Sequence, residues 1–462
     1  MKQDPRAAWH REGKLGLFLH WGPYSVAGVE ASWPIMVPEL SWLAGQPRIS
    51  EADYLELPAR FNPTGFDPDA WVRAAREAGM RYIVLTSKHH DGFCMFDAPG
   101  TEYKITRGPY GKDIVAALAQ ACERAGMPFG LYYSPPDVHH PGYRDTSRPV
   151  RENWFGEPER PSWKEYLDTM EEQLTALLTR YGRISILWFD GLFDQEKYDP
   201  ARFHRLVRRL GPDTLVNDRL GEGGDYVTPE QGVPASIPVR PTPEHPRKQT
   251  STREFLGLIR LLRIPLVRGA LRLAVLARSR AGAPLESLPT SLLPTEEEFQ
   301  PWESCLTMGS TWGYFPGERR WKSVDQLIRT LYDVASKGGN LLLNVGPAPD
   351  GTFPTEALER LRGLGVWLRS NGEAIYGSSY GRPQGVAGLR VTERSGYRYV
   401  GVLKVPRDRI LRLDAAGGST EPSILATGER LQSRRSGDAL EIDLPETAGL
   451  PSLPVVRIRS SA

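Results

Sequence analysis

Four short apolar runs, each ending in polar or aromatic side chains, constrain the fold of this chain most. They are Leu15-Gly16-Leu17-Phe18-Leu19-His20, Tyr82-Ile83-Val84-Leu85-Thr86-Ser87, Gly130-Leu131-Tyr132-Tyr133-Ser134 and Ile184-Ser185-Ile186-Leu187-Trp188-Phe189. Such unbroken runs are what strands buried on both faces look like. Helical patterns separate them: Pro68 to Ala78 closed by Gly79, and Asp113 to Cys122 ending near Gly126. A glycine just past the last turn is a stop signal. Strand–helix alternation builds parallel βα units. The residues just past the strand ends are His20-Trp21, Lys88-His89-His90-Asp91, Ser134-Pro135 and Asp190-Gly191. A parallel barrel places its chemistry at that face. A doubly wound sheet would do so at its switch point, but no glycine-rich dinucleotide fingerprint follows the first run.

The alternation holds from residue 15 to about 215 and resumes at Asp325 to Ala335 and Asn340 to Val345. Residues 236–300 interrupt it. Within them, Phe255 to Arg280 is apolar apart from arginines at 260, 263, 268 and 272, with Pro265 breaking the run. This cationic amphipathic segment reads as a peripheral insertion packed on the barrel, with a lid, an oligomer contact or a membrane-surface helix as alternatives. After Tyr376, short strand-like pieces such as Arg398 to Lys404 alternate with turns, which points to a small closing β-sandwich.

Composition narrows the function classes. The 58 basic and 56 acidic residues leave a net charge of +2, too balanced for nucleic acid as the main partner. The 12 tryptophans suit a sugar cleft, where indoles stack on pyranose rings, but a large core uses them too. Cys94, Cys122 and Cys305 make no disulfide framework and fit a reducing, cytoplasmic compartment. No apolar run follows Met1 to Arg6, so no signal peptide is expected in the chain as given; secretion of a processed form stays open. No run of about 18 uncharged apolar residues is present, so no membrane-spanning helix is expected.

The strand ends supply the candidate chemistry. Asp190, beside Trp188 and Phe189, is a carboxylate poised to attack an anomeric carbon, although on spacing alone a mere cap of the next element is the stronger reading. His89, His90 and Asp91 invite a metal. Adjacent strand residues point to opposite faces, and no His-x₃-His or Cys-x₂-Cys accompanies them, so hydrogen bonding to hydroxyls is favoured. A neutral His20 offers one donor and one acceptor to a sugar hydroxyl. Asn217-Asp218-Arg219 follows a further strand at Thr214 to Val216, and Thr228-Pro229-Glu230 and Trp302-Glu303 each offer a carboxyl for general acid work.

At these residues the chain resembles the α-L-fucosidases, family 29 of the glycoside hydrolases. The resemblance runs in order through Gly16 to Val26, Thr86 to Phe93, Gly130 to Ser134, Leu187 to Gly191, Val216 to Arg219 and Thr228 to Glu230. It continues through Trp302 to Cys305, Trp312 to Tyr314, Gly338 to Asn344 and Asn371 to Tyr376. It implies an irregular (β/α)8 TIM-like barrel over residues 1–375, carrying the 236–300 insertion, and a small C-terminal β-sandwich over 376–462. It implies release of terminal α-linked L-fucose from fucosylated oligosaccharides or glycoconjugates with retention, needing no metal or cofactor, and allows a homo-oligomer. By the same resemblance Asp190 is the nucleophile and Glu230 the acid/base, with Glu303 as the alternative. Substrate contacts fall to His20, Trp33, His89, His90, Tyr132 or Tyr133, Trp188, Arg219 and Trp312, in a pocket wall expected to be free of cysteine. Ala31-Ser32-Trp33, with Glu30 nearby, stands where the family often has Glu-Trp, and Leu220 stands where it usually has Trp.

Overall fold

The computed structural model of the protein describes residues 4–38, 46–191, 194–240, 293–381, 388–414, 421–437, 439–446 and 452–459. Seven parallel strands form its centre: β1 (Leu15–Leu19), β2 (Ile83–Lys88), β3 (Phe129–Tyr133), β4 (Ile184–Phe189), β5 (Leu215–Val216), β6 (Glu303–Thr307) and β7 (Asn340–Val345). Every residue of the seven is buried, which is why β1, β3, β4, β5 and β7 run largely apolar without alternation. Their order is β5-β4-β3-β2-β1-β7-β6.

The gap between the two outer strands is filled by Asp225 to Gln231. The Asp225 amide donates to the Val216 carbonyl at 2.6 Å on the β5 side. On the other side the Glu303 amide donates to Val227 O at 2.9 Å, Cys305 N to Pro229 O at 3.1 Å and Gln231 N to Cys305 O at 3.0 Å. This pairing closes the curled sheet into an irregular barrel, and it puts Glu230 opposite Cys305. Pro229 has no N–H to give, so the segment cannot become a regular strand.

Helices cover the outside of the barrel. Asp67 accepts from the Ala70 amide to start the helix Pro68–Glu77, and Asp113 accepts from Ala116 to start Ile114–Arg124. Ser323 and Gln326 form a reciprocal capping box at the head of Val324–Ser336.

The C-terminal part holds β8 (Ser379–Tyr380), β9 (Leu389–Arg394), β10 (Tyr397–Val402), β11 (Ile410–Asp414), β12 (Ser423–Ile424), β13 (Ser433–Ser436), β14 (Ala439–Asp443) and β15 (Val455–Arg459). They form two antiparallel sheets, β12-β15-β10-β9-β8 and β11-β14-β13. Leu389, Val400 and Ile458 from the first meet Leu411, Leu440 and Ile442 from the second in one core, the layout of a sandwich. The Tyr332 hydroxyl donates to the Tyr399 carbonyl at 3.0 Å, and Arg390 pairs with Asp333, tying the sandwich to the helix Val324–Ser336.

The expected strands and helices are present with ends moved by a residue or two. Sequence inspection missed β6, because Glu-Ser-Cys-Leu-Thr does not read as apolar. The cationic segment 255–280 lies outside the described residues. Among the described residues no helix is long and apolar enough to cross a membrane.

Candidate active site

At the C-terminal ends of the parallel strands opens a pocket of about 360 Å³, its mouth included. Phe18, His20, Trp33, His89, Tyr132, Trp188, Asp190, Arg219, Glu230, Cys305 and Trp312 line it.

Asp190 follows β4, its amide donating to Tyr133 O at 3.1 Å. The Tyr132 hydroxyl donates to Asp190 Oδ2 at 2.7 Å and Arg219 Nη1 to Oδ1 at 2.9 Å. Burial pushes this carboxyl up. The Arg219 charge and the Tyr132 and Arg219 hydrogen bonds outweigh that and hold it below its ordinary value. An anionic carboxylate at this depth is therefore available as a nucleophile or as a counter-charge to a cationic transition state.

Arg219 is the hub. Its Nη2 donates to Glu230 Oε2 at 2.8 Å and its Nε to Thr228 Oγ1 at 3.1 Å, while the guanidinium carbon sits 4.7 Å from the Trp188 ring centroid. The Thr228 hydroxyl donates to Asp218 Oδ1 at 2.9 Å, so Asp218 and Arg219 together hold the Glu230 loop. Asp190 is deep, with its side chain 13% exposed, and Glu230 stands at the mouth, 42% exposed. Gln231, at φ +52°, turns the chain back after Glu230 and makes hydrogen bonds with Thr307.

Two of the three histidines, His20 and His89, line the pocket, while His90 is fully buried against Asp190, and burial favours the neutral form of all three rings. His20 Nδ1 lies 2.8 Å from Asn344 Oδ1, and Asn344 Nδ2 is committed to the Trp312 carbonyl at 2.8 Å. An amide oxygen only accepts, so His20 carries its proton on Nδ1 and leaves Nε2 as an acceptor. Burial drives its imidazole down to about 4, against the Asn344 bond. His89 Nδ1 pairs with the Ser32 hydroxyl. His90 Nδ1 lies 2.6 Å from Ser134 Oγ, which itself donates to Pro136 O at 2.7 Å. That leaves His90 Nε2 without a partner, 3.5 Å from Asp190 Oδ2. Burial takes His90 down to about 4 as well.

The sequence argument that His89 and His90 face opposite ways fails here, since their ring centroids are 4.2 Å apart. β2 ends at Lys88, so strand alternation no longer governs the next two residues. Among the described residues, His89, His90 and Asp190 have ligand atoms all within 4.8 Å. Both Asp190 oxygens are already engaged by Tyr132 and Arg219. Asp91 turns away, accepting from the Tyr54 hydroxyl at 2.7 Å and from the Phe93 amide at 3.1 Å.

Two expected residues lie elsewhere. Tyr133 alternates to the outer face of β3, where its hydroxyl donates to Gln173 Oε1 at 2.7 Å; Tyr132 alone of the pair faces the pocket. Glu303 is the first residue of β6, inside the barrel, with no exposure and outside the pocket lining. The wall is not free of cysteine either: Cys305 lines it, its Sγ 3.9 Å from Arg219 Nη2. Trp33 meets His90 edge-on at 5.6 Å, and Trp312 lies 4.9 Å from His20. The Trp312 amide donates to both oxygens of Glu30 at 3.0 Å, and burial raises the Glu30 carboxyl to about 8.

Sequence reasoning did not single out Phe18 and Cys305 in the wall, nor Asn217 and Asn344 behind it. Asn217 grips the end of β4 from both sides, its Oδ1 accepting from Phe189 N and its Nδ2 donating to Phe189 O, each at 2.9 Å. All four sit inside the motifs quoted above, so the signal was position within a motif.

The sequence model of the α-L-fucosidase family matches residues 1–247 and 286–373. The tissue α-L-fucosidase of Bos taurus is 26% identical over 481 residues, covering 97% of this chain and 87% of that one. The structure of α-L-fucosidase isoenzyme 1 from Paenibacillus thiaminolyticus superposes with a TM-score of 0.79 at 30% identity, covering both chains completely. That of the Thermotoga maritima α-fucosidase in complex with a mechanism-based inhibitor gives 0.72 at 28% identity, covering 98% of this chain and 96% of that one. The chain belongs to the α-L-fucosidase family of glycoside hydrolases.

Proposed function

We propose that the protein is a retaining exo-α-L-fucosidase that removes terminal α-linked L-fucose from oligosaccharides or glycoconjugates, with Asp190 as nucleophile and Glu230 as acid/base. The observation that carries this reading is the Arg219 bridge. One planar guanidinium spans a deep carboxylate and a carboxylate at the mouth. Retention requires two carboxyl groups about 5–5.5 Å apart, one reaching C1 and the other the exposed leaving oxygen. The inhibited Thermotoga relative supports the same mechanistic class.

In the first step an Asp190 oxygen bonds to C1 while the C1–O bond to the aglycone breaks. The leaving oxygen keeps that electron pair and takes the Glu230 carboxyl proton. For this the Glu230 carboxyl swings from Arg219 toward the leaving oxygen. In the second step Glu230 takes a proton from water as the water oxygen bonds to C1 and the ester breaks, restoring the Asp190 carboxylate. Arg219 and the Tyr132 hydroxyl stabilise the charge on Asp190 as it departs. His20 Nε2 accepts a hydrogen bond from a sugar hydroxyl, and Phe18, Trp188 and Trp312 cover the apolar ring face. Asp190 at the floor of the pocket and Glu230 at its mouth suit a terminal sugar whose aglycone points to solvent, which supports exo action.

The test is ¹H NMR of fucose released from 4-nitrophenyl α-L-fucoside. α-Fucose should appear first and equilibrate later. Initial β-fucose would overturn retention, and a near-wild-type Asp190→Gly would overturn the nucleophile assignment.

A further inference from the structure

We propose that Glu303 is a positioning residue: it anchors the Trp188 indole from beneath and, through it, fixes both groups that hold Asp190. The inference rests on the assignment of Asp190 and Glu230 above.

A carboxyl with no solvent exposure is costly to bury unless its oxygens are fully engaged. Glu303 Oε1 accepts from Trp188 Nε1 at 3.2 Å. Its Oε2 accepts from the Tyr82 hydroxyl and lies 2.9 Å from His10 Nε2. Asn340 Nδ2 donates to the His10 carbonyl at 2.6 Å, closing the group. These partners come from the N-terminal helix Ala8–Gly13, the lead-in to β2, β4 and β7. The barrel is shaped for this layer. A Cβ on Gly16 of β1 would lie 2.3 Å from the Tyr82 ring, so only glycine lets Tyr82 reach across to Glu303.

Above this layer, Trp188 backs the site. Its ring lies under the Arg219 guanidinium at 4.7 Å and stacks on Tyr132 at 5.6 Å with a 16° interplanar angle. Among the described residues, Arg219 and Tyr132 are the two side-chain donors to the Asp190 carboxylate. A single anchored indole therefore sets both. Without the Oε1 bond the buried indole N–H loses its partner and the ring is free to tilt, and both donors shift with it. Misplacement of about 1 Å at a reacting centre costs roughly 100-fold in rate.

The experiment is steady-state kinetics on 4-nitrophenyl α-L-fucoside for wild type, Glu303→Ala, Glu303→Asp, Glu303→Gln, Trp188→Phe and the double variant Glu303→Ala/Trp188→Phe. Wild-type turnover and its loss in Asp190→Gly test the underlying assignment separately. Glu303→Ala is expected to lose about 30- to 100-fold in kcat with KM within threefold, and azide should restore nothing. Glu303→Gln keeps an oxygen for Trp188 and should stay within threefold. Glu303→Asp keeps the carboxyl group but not the reach and should behave like Ala; it also serves where Ala does not fold. In the Trp188→Phe background, removal of Glu303 should cost less than twofold, because the coupling runs through the indole. Full multiplicative loss in the double variant would overturn the proposal, as would azide rescue of Glu303→Ala, wild-type rates in Glu303→Asp, or Gln as inactive as Ala.

Discussion

Arg219 donates to Asp190 across 2.9 Å from one guanidinium nitrogen, and its other terminal nitrogen is bonded to Glu230 at 2.8 Å. Only a planar fork can make both contacts at once. Arg219→Lys keeps the charge but reaches one carboxylate at a time. It should lower kcat/KM on an aryl fucoside by roughly 100-fold, the scale of losing one preorganised donor. A loss under threefold would show that the bridge is incidental.

Glu230 stands at the mouth and is assigned the proton transfer. Glu230→Ala should retain more activity on 4-nitrophenyl α-L-fucoside, whose leaving group needs little protonation, than on a natural disaccharide. Added azide should raise the aryl rate by attacking the Asp190 ester and yield fucosyl azide of retained α configuration, seen by NMR. No azide adduct, with equal losses on both substrates, would move the acid elsewhere.

The two adjacent tyrosines separate site from scaffold. Tyr132→Phe removes a donor to Asp190 and should lower kcat by about 10- to 100-fold with the melting temperature little changed. Tyr133→Phe leaves the Gln173 oxygen buried and unpaired, at a cost of about 1–3 kcal/mol in stability, while activity stays within threefold. Kinetics and thermal melts on both variants check the pair; the reverse pattern would refute the placement.

How far the sequence reached is visible in these residues. β1 to β4 were legible because a strand buried on both faces must be apolar throughout; Asp190 read locally as a mere strand-end carboxylate, and its role and that of Arg219 came from the ordered motifs around them. β6 was not, because the barrel interior accepts Glu303 and Ser304 once Tyr82 and His10, over 200 residues away, satisfy the carboxyl. The depth of Glu303 follows from those long-range partners and from no local pattern. The choice between Tyr132 and Tyr133 required the phase of β3, which one short run does not give. The shared side of His89 and His90 depended on where β2 stops, and strand ends are the least legible feature of a sequence.

Glu30 makes stability fall with pH. Its folded pKa, about 8, is above the ordinary value of 4.5, because burial disfavours the anion. Below 4.5 both folded and unfolded chains hold the proton, so there is no penalty. Between 4.5 and about 8 the unfolded chain releases a proton that the folded chain keeps, so stability is lost as pH rises through that window. Glu30→Gln still accepts from the Trp312 amide and carries no proton to lose. Between pH 5 and 8 the melting temperature of wild type should fall relative to that of the variant; parallel curves would refute the assignment.

The central claim, that Asp190 forms an ester with fucose, is tested most directly by trapping. The protein should be incubated with 2-fluoro-fucosyl fluoride, whose 2-fluorine slows both steps while its activated leaving group speeds formation of the ester alone, so the ester accumulates. Intact-mass spectrometry followed by peptide mapping then locates the label. One fluorofucosyl group per chain, on Asp190 and absent from Asp190→Asn, is the predicted result. Turnover of the reagent without any label, or a label on another residue, would contradict it.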